Sequence, residues 1–221
     1  MNKIRISAVL SAAAFFVLLP FCSVKAYADS TVTMKLISVG GQSSGGDYVF
    51  PYYFSIDGST ALTPLMCISY ENEITFGESW TATPMPISGN EQYVEAAYIY
   101  SEAAVPGASA TTIAETQWAN WELFDPGDQT LLNNVPSGYQ PQINTILSQA
   151  ALWAGDNLNT TIYSNLDVYI PKDGSQSSGG EPQFFIGDPP PPSIPEPNSL
   201  LLFGSGLLGL AFLLFRRRLA A

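Results

Sequence analysis

The charges of this 221-residue chain are sorted along its length, and that sorting decides which stretch can fold as a globular domain. All 19 acidic residues lie between Asp29 and Glu196, whereas six of the eight basic ones (Lys3, Arg5, Lys25, Arg216, Arg217 and Arg218) lie outside that span. Between residues 29 and 194 eighteen acids face only Lys35 and Lys172, a formal charge of −16. Such a surface repels phosphate backbones, so nucleic acid is not a partner. An apolar content of 46% against 12% charged still supplies a core for one domain. The chain has no histidine, which removes Ser-His and Cys-His nucleophile pairs and imidazole metal sites.

The two ends read as sorting segments. Residues 1–28 form a secretory signal peptide: Lys3 and Arg5 make its basic start, Ala8 to Leu19 its apolar stretch, and Ala26-Tyr27-Ala28 the site for signal peptidase. Cys22 follows Pro20 and Phe21 rather than the small residues of a lipobox, so a lipoprotein is not expected. At the other end a proline-rich linker, residues 187–198, precedes an uncharged segment, 199–215, and the basic tail 216–221. Seventeen residues at about 1.5 Å rise span roughly 26 Å, the short limit for a transmembrane helix. The arginines keep the tail cytoplasmic and leave the acidic domain on the far side of the inner membrane. Gly204-Ser205-Gly206-Leu207-Leu208-Gly209 fits GxGxxG, but no strand precedes it and no acid follows, so dinucleotide binding is excluded.

Pro195-Glu196-Pro197, the short apolar helix and Arg216-Arg217-Arg218 together resemble the PEP-CTERM sorting signal of Gram-negative bacteria. The resemblance implies processing by an exosortase-type membrane protease during export, often in organisms that make extracellular polysaccharide. It supplies an address rather than an activity.

The exported part, residues 29–186, changes period along its length. Thr31 to Val39, Tyr48 to Ile56 and Leu65 to Tyr70 read as strands, with Gly40 to Gly46 a turn and Pro51 marking an edge or bulge. Glu91 to Ala104, the segment of Ile113, Gln117, Trp121 and Phe124, and Gln140 to Trp153 carry helical spacing. Short strands are expected at Ile162 to Tyr163, Val168 to Ile170 and Phe184 to Ile186. The sum is an α+β domain, β-rich in its first half with about three helices in the middle, followed by one C-terminal transmembrane helix.

With the signal peptide removed, Cys67 is the only cysteine, so no internal disulfide can form. A buried thiol, an intermolecular disulfide and an internal ester-like bond all accommodate it. Leu65-Met66-Cys67-Ile68 on a strand, a helix bearing Tyr98 and Tyr100, and Thr116-Gln117-Trp118-Ala119-Asn120-Trp121 resemble the thioester domains of bacterial surface adhesins. That family pairs a strand cysteine with the glutamine of a TQxA-type motif. The resemblance implies a Cys67–Gln117 thioester, and the apolar rings of Tyr98, Trp118, Trp121 and Phe124 are expected to wall it from water. An echo of the motif, Ser148-Gln149-Ala150-Ala151-Leu152-Trp153, makes Gln149 the runner-up acyl donor.

Other chemistry is weaker. Asp125-Pro126-Gly127-Asp128 matches no calcium-loop pattern and reads as solvated acidic surface. Glu71, Glu73 and Glu78 near Trp80 have the residue types of a glycosidase, but nothing in their spacing selects that over a polar strand edge. No cofactor, metal or enzymatic turnover is expected. The expectation is an exported, envelope-anchored or matrix-associated surface protein, a covalent adhesin capturing a surface amine or hydroxyl. The alternative is a passive matrix protein that associates with polysaccharide.

Overall fold

The computed structural model describes residues 31–159, 161–172, 181–190 and 205–207. Six strands, β1 (Val32–Val39), β4 (Tyr52–Ile56), β5 (Thr63–Cys67), β6 (Ser79–Pro86), β7 (Asp167–Pro171) and β8 (Phe185–Gly187), close into a barrel in the order β1-β4-β5-β8-β7-β6. Every pairing is antiparallel. A two-stranded hairpin, β2 (Ser43–Ser44) and β3 (Asp47–Tyr48), projects from the β1–β4 connection. Between β6 and β7 the chain forms α1 (Glu91–Ala103), α2 (Ala110–Phe124), α3 (Gln129–Asn134) and α4 (Gln140–Asn157).

Alternation explains the barrel. Met34 and Leu36 on β1, Tyr52, Phe54 and Ile56 on β4, and Trp80 and Ala82 on β6 are buried while their neighbours are not. Phe54, Trp80 and Phe185 meet inside, at 4.6 Å for Phe54–Phe185 and 5.7 Å for Phe54–Trp80 between ring centroids. Each such side chain contributes about 1.5–3 kcal/mol on burial. β5 is buried on both faces: Leu65 and Cys67 join the barrel core, and Met66 and Ile68 join a second core with Val94, Ala97 and Ile186 against the helices.

The helices are capped by their own sequence. Asn90, Ser109 and Asp128 each accept a backbone N–H from the first turn of α1, α2 and α3, and Pro141 opens α4. α1 packs on α2 and α4, and α2 reaches β5. From Thr116 to Trp121 every residue of α2 is buried, so its polar side chains must find partners inside the protein.

Several expectations change. β6 was not expected; its Pro84 and Pro86 mask an alternating strand. Pro51 precedes β4, which is paired on both sides and is no edge, and the irregularity lies in β1 between Leu36 and Ser38. Gly40 to Gly46 is not a simple turn but leads into the β2–β3 hairpin. Ile162 and Tyr163 lie in turns rather than a strand. Among the described residues no helix is long and apolar enough to cross a membrane. Of the expected transmembrane segment, only residues 205–207 are among those described.

Candidate functional site

β5 ends at Cys67, and α2 crosses its end with Gln117. Both residues are fully buried. The Gln117 Nε2 donates to the Cys67 carbonyl oxygen at 2.6 Å, and the Gln117 Oε1 accepts the Phe50 N–H at 3.2 Å. The amide is therefore held at both ends, with its carbonyl polarised by a backbone donor. Phe50 is placed by the segment between the hairpin and β4, where Val49 and Phe50 are both buried.

The Cys67 thiol donates to the Ser69 carbonyl at 3.1 Å. Burial pushes the thiol up to about 12, only partly offset by the Trp121 indole and by Ser69, while Asp125 adds to the rise. Among the described residues the Trp121 indole N–H makes no hydrogen bond of ordinary geometry. Cys67 is thus a neutral thiol in a dry site and a poor thiolate nucleophile towards solvent.

Three aromatic rings share a core cluster with Cys67. Trp118 and Trp121, three apart on α2, meet edge to face at 4.9 Å, and Tyr70 packs on both at 5.7 and 5.1 Å. The Trp118 Nε1 donates to the Ser44 hydroxyl at 3.0 Å. Beyond them lies a cleft of about 800 Å³, lined among others by Asp47, Tyr48, Tyr52, Tyr70, Glu71 and Trp121. Tyr52 is buried beside it, and its hydroxyl donates to the Tyr48 carbonyl.

The expected aromatic wall is only half present. Trp118 and Trp121 stand at the pair, but Tyr98 packs on Trp153 at 5.9 Å and Phe124 on Tyr93 at 6.3 Å, both elsewhere in the helical layer. Tyr70 takes their place, a residue the sequence marked only as the last of a strand. Gln149 is exposed on α4, so its amide stands in solvent while Cys67 is fully buried. Trp80 is buried in the barrel and offers no sugar platform, and Glu78 accepts the Thr75 N–H and hydroxyl rather than facing a cleft. Asp125 accepts the Tyr70 N–H at 2.7 Å and Asp128 caps α3. Ala26, Ala28, Pro195, Glu196, Pro197, Arg216, Arg217 and Arg218 lie outside the described residues.

Asn120 stands in the Thr116–Trp121 motif where the thioester domains it resembles usually carry an aliphatic residue, and the sequence assigned it no role. It is fully buried one turn along from Gln117, its Nδ2 lies 2.7 Å from the Met66 sulfur, and its Oδ1 has no hydrogen-bond partner among the described residues. Its place in a run of apolar residues was the available signal.

Residues 193–218 match the PEP-CTERM protein-sorting motif. That motif implies export, membrane anchoring before processing, and processing by an exosortase, a membrane protease. No curated protein matches the chain. Among solved structures, the N-terminal thioester domain of a surface protein from Clostridium perfringens is similar to it, at 13% identity and a TM-score of 0.41, covering 72% of this chain and 98% of that one.

Proposed function

We propose that this protein is a covalent capture device on the bacterial envelope, in which Cys67 and Gln117 form an internal thioester that a surface nucleophile later opens. The observation that carries this reading is the contact between two fully buried side chains remote in sequence, the Gln117 amide and the end of β5 at Cys67. In the forming step the Cys67 sulfur adds to the Gln117 side-chain carbonyl carbon. The Oε1 takes the negative charge under the Phe50 N–H, the only hydrogen bond to that oxygen among the described residues. The thiol proton passes to the departing nitrogen, and the intermediate collapses to the thioester and ammonia.

Capture turns the sulfur from nucleophile into leaving group. An amine attacks the same carbonyl carbon, an amide forms, and the sulfur leaves with a proton as the Cys67 thiol. An alcohol gives an ester by the same route, and water gives a glutamate side chain at position 117. The aromatic cover of Tyr70, Trp118 and Trp121 holds water away and protects the bond. Each molecule reacts once, so the protein is not an enzyme. Its sorting motif supports delivery through the inner membrane, with the apolar segment 199–215 as the anchor before processing. The acceptor is an amine or hydroxyl on a neighbouring surface or matrix polymer.

Intact mass of the purified protein tests this directly. A thioester lowers the mass by about 17 Da, the ammonia lost, and methylamine then adds about 31 Da. Cys67→Ala has neither change. A full sequence mass with a titratable thiol defeats the reading and leaves a passive exported matrix protein.

A further inference from the structure

The cysteine and glutamine are fully buried, so an acceptor cannot reach their carbonyl carbon unless something moves. The β2–β3 hairpin lines the neighbouring cleft together with Tyr70 and Trp121, which share a core cluster with Cys67. Its tip does not belong to the barrel; the two strands pair only with each other, through Ser43 with Tyr48 and Ser44 with Asp47. A two-stranded ribbon of this size is marginal by itself, so what it rests on decides its position.

It rests on that aromatic cluster. Ser44 accepts the Trp118 indole N–H, Asp47 accepts the Tyr70 hydroxyl at 3.1 Å, and the Tyr48 carbonyl accepts the Tyr52 hydroxyl. Asn134 at the end of α3 donates to the same Tyr70 hydroxyl at 2.8 Å. Gly45 is pressed so close that a Cβ there would lie 2.6 Å from the Trp118 ring and 2.5 Å from the Asn134 carbonyl. The tip therefore touches two of the three aromatic residues that share a cluster with the thiol, and lines the cleft through Gly46, Asp47 and Tyr48.

The hairpin also has a place to bend. Gly41, with φ +78° and open space around it, sits before the tip, while Val49 and Phe50 behind it are buried. The tip can swing about Gly41 while Phe50 stays in place with its N–H on Gln117.

We propose that the Ser43–Tyr48 hairpin is the gate to the Cys67–Gln117 site, latched on Trp118, Tyr70 and Tyr52, and that its opening towards the cleft admits the acceptor. The acceptor's part in this rests on the thioester reading; the gate itself is readable without it. Opening breaks the three latch hydrogen bonds and the Val49 N–H to Gln42 carbonyl bond at the hairpin base, and no barrel pairing. Loss of one latch raises the open population about three- to tenfold.

The test uses the full-length chain with Ser44→Ala or Asp47→Ala. A third variant, Ser101→Ala, removes the 2.9 Å contact with Tyr163 in the helical layer, a bond of similar kind remote from the hairpin. Two rates are measured: methylamine adduct formation with Gln117 intact, and iodoacetamide modification of Cys67 under native conditions in the Gln117→Ala background, where no thioester can form. The gate predicts that Ser44→Ala and Asp47→Ala speed both reactions about three- to tenfold and that Ser101→Ala speeds neither. Equal acceleration by Ser101→Ala, which marks exposure through general unfolding, overturns the gate, as does no acceleration by either latch variant. If the mass shows no loss of ammonia, the thioester reading falls while the iodoacetamide rates still decide the gate.

Discussion

Gln117 donates its side-chain amide to the main-chain carbonyl of Cys67 at 2.6 Å, so the helix holds the cysteine's strand end by the group the thiol would attack. The contact is structural before it is chemical. Gln117→Ala leaves the Cys67 carbonyl and the Phe50 N–H without that partner in the interior, at a cost of about 1–3 kcal/mol for each group. We expect Gln117→Ala to lower unfolding stability by about 2–4 kcal/mol and to keep a free thiol at full sequence mass. Gln149→Ala, on the exposed side of α4, should change neither, and denaturant titration beside intact mass checks both variants.

The thiol sets an alkaline limit when the bond is absent. Burial raises the Cys67 pKa from 9.0 to about 12, so between those values the folded state holds a proton that the unfolded chain releases. Stability is then fully present below pH 9 and falls as pH rises towards 12, by about 1.4 kcal/mol per unit. Gln117→Ala should show this loss from pH 9 to 10 on top of the smaller loss that the buried tyrosines begin to add as pH nears 10. The double variant Cys67→Ala with Gln117→Ala should lose the thiol's share and fall less steeply, and parallel slopes in denaturant titrations across that window would remove the assignment.

Gly45 carries φ +66° and leaves no room for a methyl group between Trp118 and Asn134. Alanine there combines left-handed backbone strain with two clashes, so the hairpin tip must lift from the indole. We expect Gly45→Ala to cost about 1–3 kcal/mol and to shift tryptophan emission to the red as Trp118 meets water. An unchanged emission maximum would mean that the tip does not shield Trp118.

What could be read in advance follows from range. Alternation around Met34 and Leu36 marks β1, and the spacing of Ile143, Ile146 and Ala150 marks α4, because each pattern is local. Barrel closure joins Met66 to Ile186 and Val32 to Ala82, pairings set by distant segments with no local trace. At the site, Cys67 and the two tryptophans drew attention as residue types. Tyr70 did not, because its role arises where the turn after β5 folds over α2, and Phe50 acts through a main-chain N–H that any residue but proline would provide. Tyr98 and Phe124 were misplaced for the complementary reason: they share α1 and α2 with the site but lie on faces that pack within the helical layer.

The sorting motif at residues 193–218 separates two functions that can be broken independently. In the topology proposed above, Arg216, Arg217 and Arg218 resist transfer through the bilayer, each at about 2.5–3.5 kcal/mol near its centre, and would hold the tail on the cytoplasmic side. Replacing all three with serine should release the chain from the inner-membrane fraction, because the short apolar segment alone lacks a stop. Glu196→Ala leaves those arginines and the anchor intact and removes a charge from the processing motif. It should stay in the inner membrane and accumulate as the unprocessed form, retaining its C-terminal mass in a host that makes an exosortase. If Glu196→Ala instead gives the same mature mass as the unaltered chain, processing does not read the Pro195-Glu196-Pro197 group, and the anchor would be cut or kept on other grounds.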